Sequence, residues 1–462
     1  MSLQFESILP HRVAVDCLQS SKGPRSSPSQ KQQKLRYGAR VRSGFRLSQG
    51  RAGDHLLIYA LLQSLMQSSS ESEFQWNLDR PDYEPTQRLL LWRGDDLVGH
   101  IRLARRMIRW RNAWLPTCDL SEFALLPEFA QEDQRVRLLQ AAAEDAADAG
   151  ALLLTCRTYG DVVPPDSSWI ANGSVLSYSE SPRTFLANCA AFEEQYPELK
   201  HFRVRPWRYV EQRELAEIYD ANTAQVDGSP IRDEEYWRWL LTRRGFDEIL
   251  VVTMKSEERA ANREIQDTIL GYAFVRGNDI VEIMVVPERP ESALPLLQRV
   301  AADAIERNDH FVRLFRPAWT SSSADLLDRL IGLSDKSRSC ETTQAVFAAD
   351  PLGLLEVICQ GTDQHLVKSV DNAGVELDLA GQRVWIGPSR EGRLEMKKRS
   401  LRSKACCIVP PEDVTRFLCG CLADDRSSKI EFPTAAIRRE ITNVFQPVTL
   451  WRSTLDDLPS SN

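Results

Sequence analysis

The 462-residue sequence predicts an α/β protein of mixed α+β character, in which one structural unit occurs twice and a third domain follows. A helix, a β-meander, a second helix and a buried strand follow one another before residue 190, and a similar order recurs after it. After residue 370, apolar and polar residues alternate, which is typical of a sheet with one solvent-exposed face. The expected segments are residues 1–36, 37–190, 191–338 and 339–462.

Apolar periodicity and turn residues predict the elements of the first unit. Residues 39–47 read as a strand, Asp54 begins a helix, and a polar loop is expected from Gln67 to Thr86. Two apolar runs flank Arg93-Gly-Asp-Asp96, a hairpin signal. The elements expected next are a hairpin arm at 106–115, a strand at 118–126, a helix at 133–147 and a buried strand at 151–156.

The second unit and the last domain are predicted in the same way. The second unit should contain strands at 202–206, 248–253, 268–275 and 280–286, with helices at 211–222, from 233 and at 293–306. The last domain should contain helices at 352–359 and 411–422, with strands from 374, 383 and 392. We therefore expect an α+β domain there.

Charge and cysteine content restrict the function classes. The formal net charge is −7, which argues against a nucleic-acid or membrane partner. Residues 1–36 are rich in Ser, Gln and Lys and are expected to be a disordered basic arm that either contacts a partner or lies on the acidic body. The ten cysteines have irregular spacings, so we expect no metal site, and reduced thiols in a cytoplasmic protein.

One stretch carries a family resemblance. Phe123-Ala-Leu-Leu-Pro-Glu-Phe129, followed by a helix from Val136, is similar to motif A of the GNAT acetyltransferases, in which Pro-Glu-Tyr precedes a glycine-rich loop and a long helix. Residues 231–240 and 270–272 resemble the second GNAT unit of Eis proteins. Residues from Asp350 to Trp451 resemble their sterol-carrier-like domain. The resemblance implies two tandem GNAT folds followed by a sterol-carrier-like α+β domain.

The same resemblance implies a chemistry and a set of residues. Acetyl-CoA is the implied co-substrate, and the acceptor is an amine-bearing small molecule or peptide. Glu122 takes the place of the general base. Trp169 occupies the position of the family's general-acid tyrosine, and Tyr178, with Tyr159 as an alternative, is the expected substitute. The implied cofactor-binding residues are Leu125 and Leu126 at the thioester and Arg135 and Val136 at the head of the helix. Eis proteins also imply a homo-oligomer and a base at the chain's carboxyl terminus.

The chain departs from the family pattern at the phosphate loop. Positions 130–135, which match the glycine-rich loop, contain no glycine, and Glu132 and Asp133 stand where phosphate is expected. Carboxylates in a first helical turn also stabilise the helix, because they interact favourably with the positive end of its dipole. Two hypotheses remain open: an Eis-like acyl-CoA-dependent N-acyltransferase, or an inactive GNAT fold that binds a ligand or a partner.

Overall fold

The computed structural model describes residues 44–65, 70–159, 168–193, 195–243, 245–254, 268–315, 338–362, 374–398, 406–422 and 428–457. The predicted basic arm at 1–36 and the terminal Asn462 lie outside these ranges. Within them, no helix is long and apolar enough to cross a bilayer.

The described strands form two sheets. In chain order they are β1 (Phe45–Gln49), β2 (Arg88–Arg93), β3 (Asp96–Trp110), β4 (Ala113–Leu125), β5 (Leu153–Tyr159), β6 (Ile170–Glu180), β7 (Phe202–Pro206), β8 (Glu248–Met254), β9 (Ile269–Arg276), β10 (Asp279–Val285), β11 (Val312–Phe315), β12 (Arg338–Ala348), β13 (Val375–Leu379), β14 (Gln382–Pro388), β15 (Leu394–Lys397) and β16 (Cys406–Val409). The large sheet has the order β1-β2-β3-β4-β5-β12-β6-β11-β10-β9-β8-β7, and the small one β15-β14-β13-β16.

Helices cover both units and the last domain. The described α-helices are α1 (His55–Ser64), α2 (Glu71–Leu78), α3 (Glu132–Asp148), α4 (Pro182–Glu193), α5 (Gln212–Thr223), α6 (Glu234–Thr242), α7 (Ala293–Glu306), α8 (Pro351–Gly361), α9 (Val414–Leu418) and α10 (Ala435–Val444). The prediction of a helix at 133–147 is confirmed by α3. Its small apolar face, including Ala141, Ala142 and Ala146, is buried in the core of the first unit.

Two details of the first unit differ from prediction. Helix α2 lies inside the expected polar loop at 67–86, because the Ser70 side chain accepts the backbone N–H of Glu73 and begins a helix there. The predicted arm at 106–115 contains a turn at Arg111 and Asn112 between β3 and β4. Tertiary contacts fix that turn, since the Arg111 backbone N–H donates to the Asp227 side chain, which the local sequence cannot show.

The large sheet is continuous across both units. Strand β12 lies between β5 and β6 and is antiparallel to both, and β6 in turn pairs with β11 of the second unit. Residues just after the expected boundary at 338 therefore complete the sheet of the first two units. The second unit buries its own apolar core between the sheet and the packed helices α4 and α7.

The last domain packs its four-stranded sheet on helices. One face of β13, with Val375, Leu377 and Leu379, is buried in a core shared with α8, α9 and α10. The same core reaches Trp110 and Leu115 at the β3–β4 turn. The predicted α+β character is therefore confirmed for this segment, but Glu376 on the other face of β13 is also buried, so the expected solvent-exposed face is not seen at that position. The domain rests against the first unit.

Candidate active site

Strands β4 and β5 separate part-way along the large sheet. They pair in parallel over Thr117–Leu120, opposite residues 153–156, and beyond Leu120 the described partner of β4 is β3. The β3–β4 register shifts between His100 and Arg102, and Glu122, opposite this shift, has a left-handed φ of 51°. A β-bulge of this kind bends its strand and ends regular pairing. The sheet therefore opens on the β5 side of residues 121–125.

The backbone amides at this opening have different environments. The Leu126 N–H donates to the Val98 carbonyl at 2.9 Å, so these two residues form a hydrogen-bonded pair of the ladder. In an antiparallel ladder such pairs alternate, so the N–H and C=O of Leu125 are directed away from β3. The Leu125 amide thus faces the opening, whereas the Leu126 amide is used within the sheet.

The Glu122 carboxylate is held by two guanidinium groups. Arg88 lies 2.5 Å from Glu122 Oε2 and Arg102 lies 3.2 Å from Oε1, and the Asn77 amide donates to Oε1 at 3.3 Å. Burial raises the pKa of Glu122, but the charges of Arg88 and Arg102 outweigh it and lower the pKa to about 2. A carboxylate with so little affinity for a proton is a poor general base at neutral pH.

His100 is a buried support for the bulge. Because a guanidinium can only donate, the 3.0 Å contact from Arg88 makes His100 Nε2 the acceptor, and Nδ1–H then donates to the Glu122 carbonyl at 2.9 Å. Burial and the charge of Arg88 lower the pKa of His100 to about 3. The neutral imidazole therefore fixes the backbone of Glu122.

The loop ahead of α3 is a tight turn. Residues 127–129 form a 3-10 turn, in which the Phe129 and Ala130 amides donate to Leu126 and Pro127. The amide of Arg135 donates to the Gln131 carbonyl, which leaves the amides of Glu132 and Asp133 as the first, unbonded N–H groups of the helix. Both carboxylate side chains at these two positions are exposed, and Arg135 and Val136 are half-buried.

A cavity of about 990 Å³ lies beside the opening, between the two units. The first unit contributes Ser121 and Glu122 at the bulge and Glu73 from α2. The second unit contributes Arg243 after α6 and Arg276 at the end of β9. Arg452, Thr454 and Asp456 from the last described segment complete the wall. A ligand in this cavity therefore contacts three parts of the chain.

Glu73 is the carboxylate of the cavity with a neutral-range pKa. Burial and the nearby charge of Glu122 raise the pKa of Glu73 to about 7, although Arg243 and Arg276 act in the opposite direction. A group with this pKa can accept and release a proton near neutral pH. Glu73 is not among the residues predicted from the sequence, although Ser70-Glu-Ser-Glu73 has the Ser-x-x-Glu spacing of a capping box.

Residues 448–457, which we call the tail, run along the junction of the two units. The Asn172 side chain accepts the Leu450 N–H at 2.9 Å and donates to the Val448 carbonyl at 2.8 Å. Leu455 is fully buried in the core of the second unit. The tail is therefore an integral part of the site.

Gly173 allows the tail to approach. Its φ is +88°, and a Cβ at this position would collide with the Leu450 carbonyl oxygen. Gly381 has a similar φ of +87° with open space around it.

We expect Gly381→Ala to cost about 1 kcal/mol from backbone strain alone, and Gly173→Ala about 3 kcal/mol or more because strain and collision add. Urea denaturation of the two variants measures this difference, and equal losses would show that the tail does not lie against Gly173.

Ion pairs hold the tail from both sides. Arg452 lies 2.5 Å from Asp119, which also accepts the Thr155 hydroxyl at 3.0 Å. Asp456 lies 3.1 Å from Arg232 and accepts the Tyr236 hydroxyl at 3.0 Å. Burial opposes ionisation of Asp456, but the charge of Arg232 dominates and lowers its pKa well below the usual range.

The predicted general acid lies away from the cavity. Tyr178 is buried in the core of the second unit and is not among the residues that line the cavity. Trp169, at the family's tyrosine position, is buried and stacks on Phe347 with ring centroids 5.5 Å apart. The described cavity is therefore formed without Tyr178 and Trp169, and the general-acid role of Tyr178 stays a prediction.

Comparison with solved structures shows the fold. A GCN5-related N-acetyltransferase from Kribbella flavida matches with a TM-score of 0.63 and 13% identity, over 88% of this chain and 99% of that one. Another from Anabaena variabilis matches with a TM-score of 0.62 and 10% identity, over 88% and 99% of the two chains. Eis1 from Mycobacterium abscessus matches with a TM-score of 0.53 and 14% identity, over 88% and 98%.

The chain has a GNAT-type fold. No protein-family model and no curated protein matches the sequence. The GNAT prediction, made from Pro127-Glu-Phe129 and the order of elements, is confirmed at the level of fold. The homo-oligomer, the cytoplasmic location and the sterol-carrier-like nature of the last domain stay predictions.

Proposed function

We propose that this GNAT-fold chain is an acyl-CoA-dependent N-acyltransferase. The observation that carries the proposal is the opening between β4 and β5 at Leu125, which adjoins the cavity through Ser121 and Glu122. An acyl group at the opening and an amine in the cavity are thereby brought together, which is the main requirement of a transfer reaction. The names of the solved structures above, N-acetyltransferases, support this class of reaction.

The opening fits the thioester of an acyl-CoA better than it fits the phosphates. At the thioester end, the Leu125 amide is free of the ladder to β3 and is the group that would donate to the thioester carbonyl oxygen. The Leu126 amide, which was predicted to share this role, already donates to the Val98 carbonyl. At the phosphate end, the amides of Glu132 and Asp133 and the helix dipole attract an anion. The side chains of the same two residues oppose it, and Arg135 provides a compensating charge.

We assign the general base to Glu73. A thioester supplies an activated acyl carbon, which the amine nitrogen attacks. As the N–C bond forms and the C–S bond breaks, Glu73 accepts the proton lost by the amine. Coenzyme A leaves as a thiolate, and because thiols have a pKa of about 8.5 this departure does not depend on a strong acid. Glu122, with its ion pairs to Arg88 and Arg102, positions the bulge and keeps the pKa of Glu73 raised.

The proposal is tested by release of the CoA thiol from acetyl-CoA in the presence of a panel of amines. We expect release that depends on both the amine and the enzyme. If acetyl-CoA binds but no amine increases thiol release, the assignment as a transferase is contradicted.

The carboxylates at the head of α3 provide a test of the phosphate position. Each should repel a nearby phosphate by about 1 kcal/mol in water, so the double variant Glu132→Gln, Asp133→Asn is expected to bind acetyl-CoA about 30-fold more tightly. Calorimetry measures the affinity. Glu144→Gln on the exposed side of the same helix is the control, because it lies about three turns away and beyond the Debye length. Equal affinities of the wild type and the double variant would place the phosphates elsewhere.

A second candidate function is a GNAT-fold binding protein without activity. Two observations favour it: the carboxylates of Glu132 and Asp133 at the phosphate position, and the entry of Arg452 and Asp456 of the tail into the cavity wall. In that case the cavity binds a ligand or a partner, and acetyl-CoA does not bind. Titration with acetyl-CoA separates the two functions.

A further inference from the structure

The cavity between the two units is rich in guanidinium groups. Among its described lining residues, eight are arginines and six are carboxylates. The lining is therefore net positive, and more so when Glu73 carries a proton. A net-positive cavity in a partly excluded space favours anionic ligands over cationic ones.

Most of the carboxylates are already engaged. Glu122 is paired with Arg102, Asp119 with Arg452, and Asp456 with Arg232. Asp279 is paired with Arg313 at 2.5 Å, and Asp247 accepts the Gly277 amide at 2.6 Å. A polyamine in the cavity would have to displace these partners, whereas Glu73 remains as the carboxylate for a single amine.

Arg276 is the guanidinium that is placed to receive an anion. It is half-buried at the end of β9 and lines the cavity, and its side chain has no described hydrogen bond or ion pair among the residues that the structure covers. Its positive charge acts to lower the pKa of Glu73, so the two side chains are close enough to interact electrostatically. A guanidinium binds carboxylate or phosphate oxygens in a bidentate geometry.

We infer that the acceptor is an amine that also carries an anionic group, with its amine at Glu73 and its anion at Arg276. This inference rests on the proposed N-acyltransferase function and narrows the acceptor class of that site. An amino acid or a peptide with a free carboxylate has this chemistry, and so does a phosphorylated amino alcohol. Polycationic amines, and simple amines without a carboxylate or phosphate, lack the anionic group that Arg276 would bind.

Matched acceptors test the inference without altering the protein. Acetyl-CoA is supplied with L-amino acids or their C-terminal amides, and separately with phosphoethanolamine or ethanolamine, and thiol release is followed. We expect the anionic member of at least one pair to have a kcat/KM about tenfold to hundredfold higher, as for loss of a charge-assisted hydrogen bond. The first pair reports a carboxylate acceptor and the second a phosphate acceptor.

Two variants test whether Arg276 is the residue that causes the preference for anionic acceptors. Arg276→Gln is expected to abolish the difference within the preferred pair, mainly through KM. Arg213→Gln, on the solvent-exposed face of α5, is the control that should keep it. Retention of the preference by Arg276→Gln would overturn the placement of the anion.

The other outcomes separate this inference from the proposed function. Turnover of neutral or polycationic amines as fast as anionic ones overturns the inference and leaves the transferase in place. If acetyl-CoA binds and no acceptor turns over, the anionic amines are titrated calorimetrically into the acetyl-CoA-loaded protein. Absence of binding at millimolar concentration then overturns the inference. Absence of acetyl-CoA binding contradicts the proposed function itself.

Discussion

Glu73→Gln is expected to lower kcat by about 100-fold or more, the usual contribution of a general base. The amide is close in shape to the carboxyl group but cannot accept the proton that the attacking amine loses. Acetyl-CoA affinity should be unchanged, since Glu73 lies on α2 in the acceptor cavity and not at the head of α3. Steady-state thiol release with a saturating acceptor measures kcat, and calorimetry measures the affinity.

Glu71→Gln is the matched control for this prediction, because Glu71 is an exposed carboxylate in the first turn of the same helix. It should retain wild-type kcat. Loss of activity in both variants would indicate damage to α2, and full activity in Glu73→Gln would show that another group accepts the proton.

The pH dependence of Glu73 has opposite signs for activity and stability. The base works when ionised, so kcat should rise with pH through about 7 and then reach a plateau. Because burial raises the folded-state pKa of Glu73 above its usual value of 4.5, folding is disfavoured as pH rises from there through about 7. Glu73→Gln should therefore be more stable than the wild type above pH 7, as thermal unfolding across this range would show.

Arg232→Met is expected to destabilise the protein by about 3–5 kcal/mol, as when one partner of a buried ion pair is removed. Arg232 forms a bidentate pair with Glu282, at 2.9 and 2.7 Å, and a second pair with Asp456 at 3.1 Å, and all three side chains are fully buried. Its loss leaves two carboxylates without their cation and releases the tail. Urea denaturation measures the loss of stability.

The control for this variant is Arg213→Met, whose pair with Glu217 is exposed and should contribute little. The destabilisation by Arg232→Met should also shrink toward acid pH, where protonation relieves the two unpaired carboxylates. A loss of stability that does not change with pH would indicate that packing, rather than charge, is the contribution of Arg232.

Local patterns were sufficient to predict much of the fold. The hairpin at Arg93–Asp96, the helix at 133–147 and the α+β character of the last domain follow from periodicity, turn residues and helix formers close together in the sequence. The position of β12 between β5 and β6 could not be predicted, because strand order depends on pairings between residues far apart in the chain.

The candidate site was harder to predict for the same reason. Glu122 was predicted from the sequence as a general base on the strand before the helix, but its low pKa depends on Arg88 and Arg102, which lie on two other strands. Tyr178 was chosen by proximity in sequence to Trp169, and its position on β6 directs it into the core. The Ser-x-x-Glu spacing at Ser70–Glu73 is a local signal, but the raised pKa of Glu73 depends on its burial and on the charge of Glu122, which the local sequence does not show.

Calorimetric titration of the wild-type protein with acetyl-CoA tests whether the opening between β4 and β5 binds an acyl-CoA. We expect saturable binding, with stabilisation of the fold by about 2.7 kcal/mol when the ligand reaches 100 times its Kd. Absence of binding up to millimolar acetyl-CoA or longer acyl-CoA would contradict the proposed acyl-CoA site and favour a GNAT-fold protein that binds another ligand or a partner.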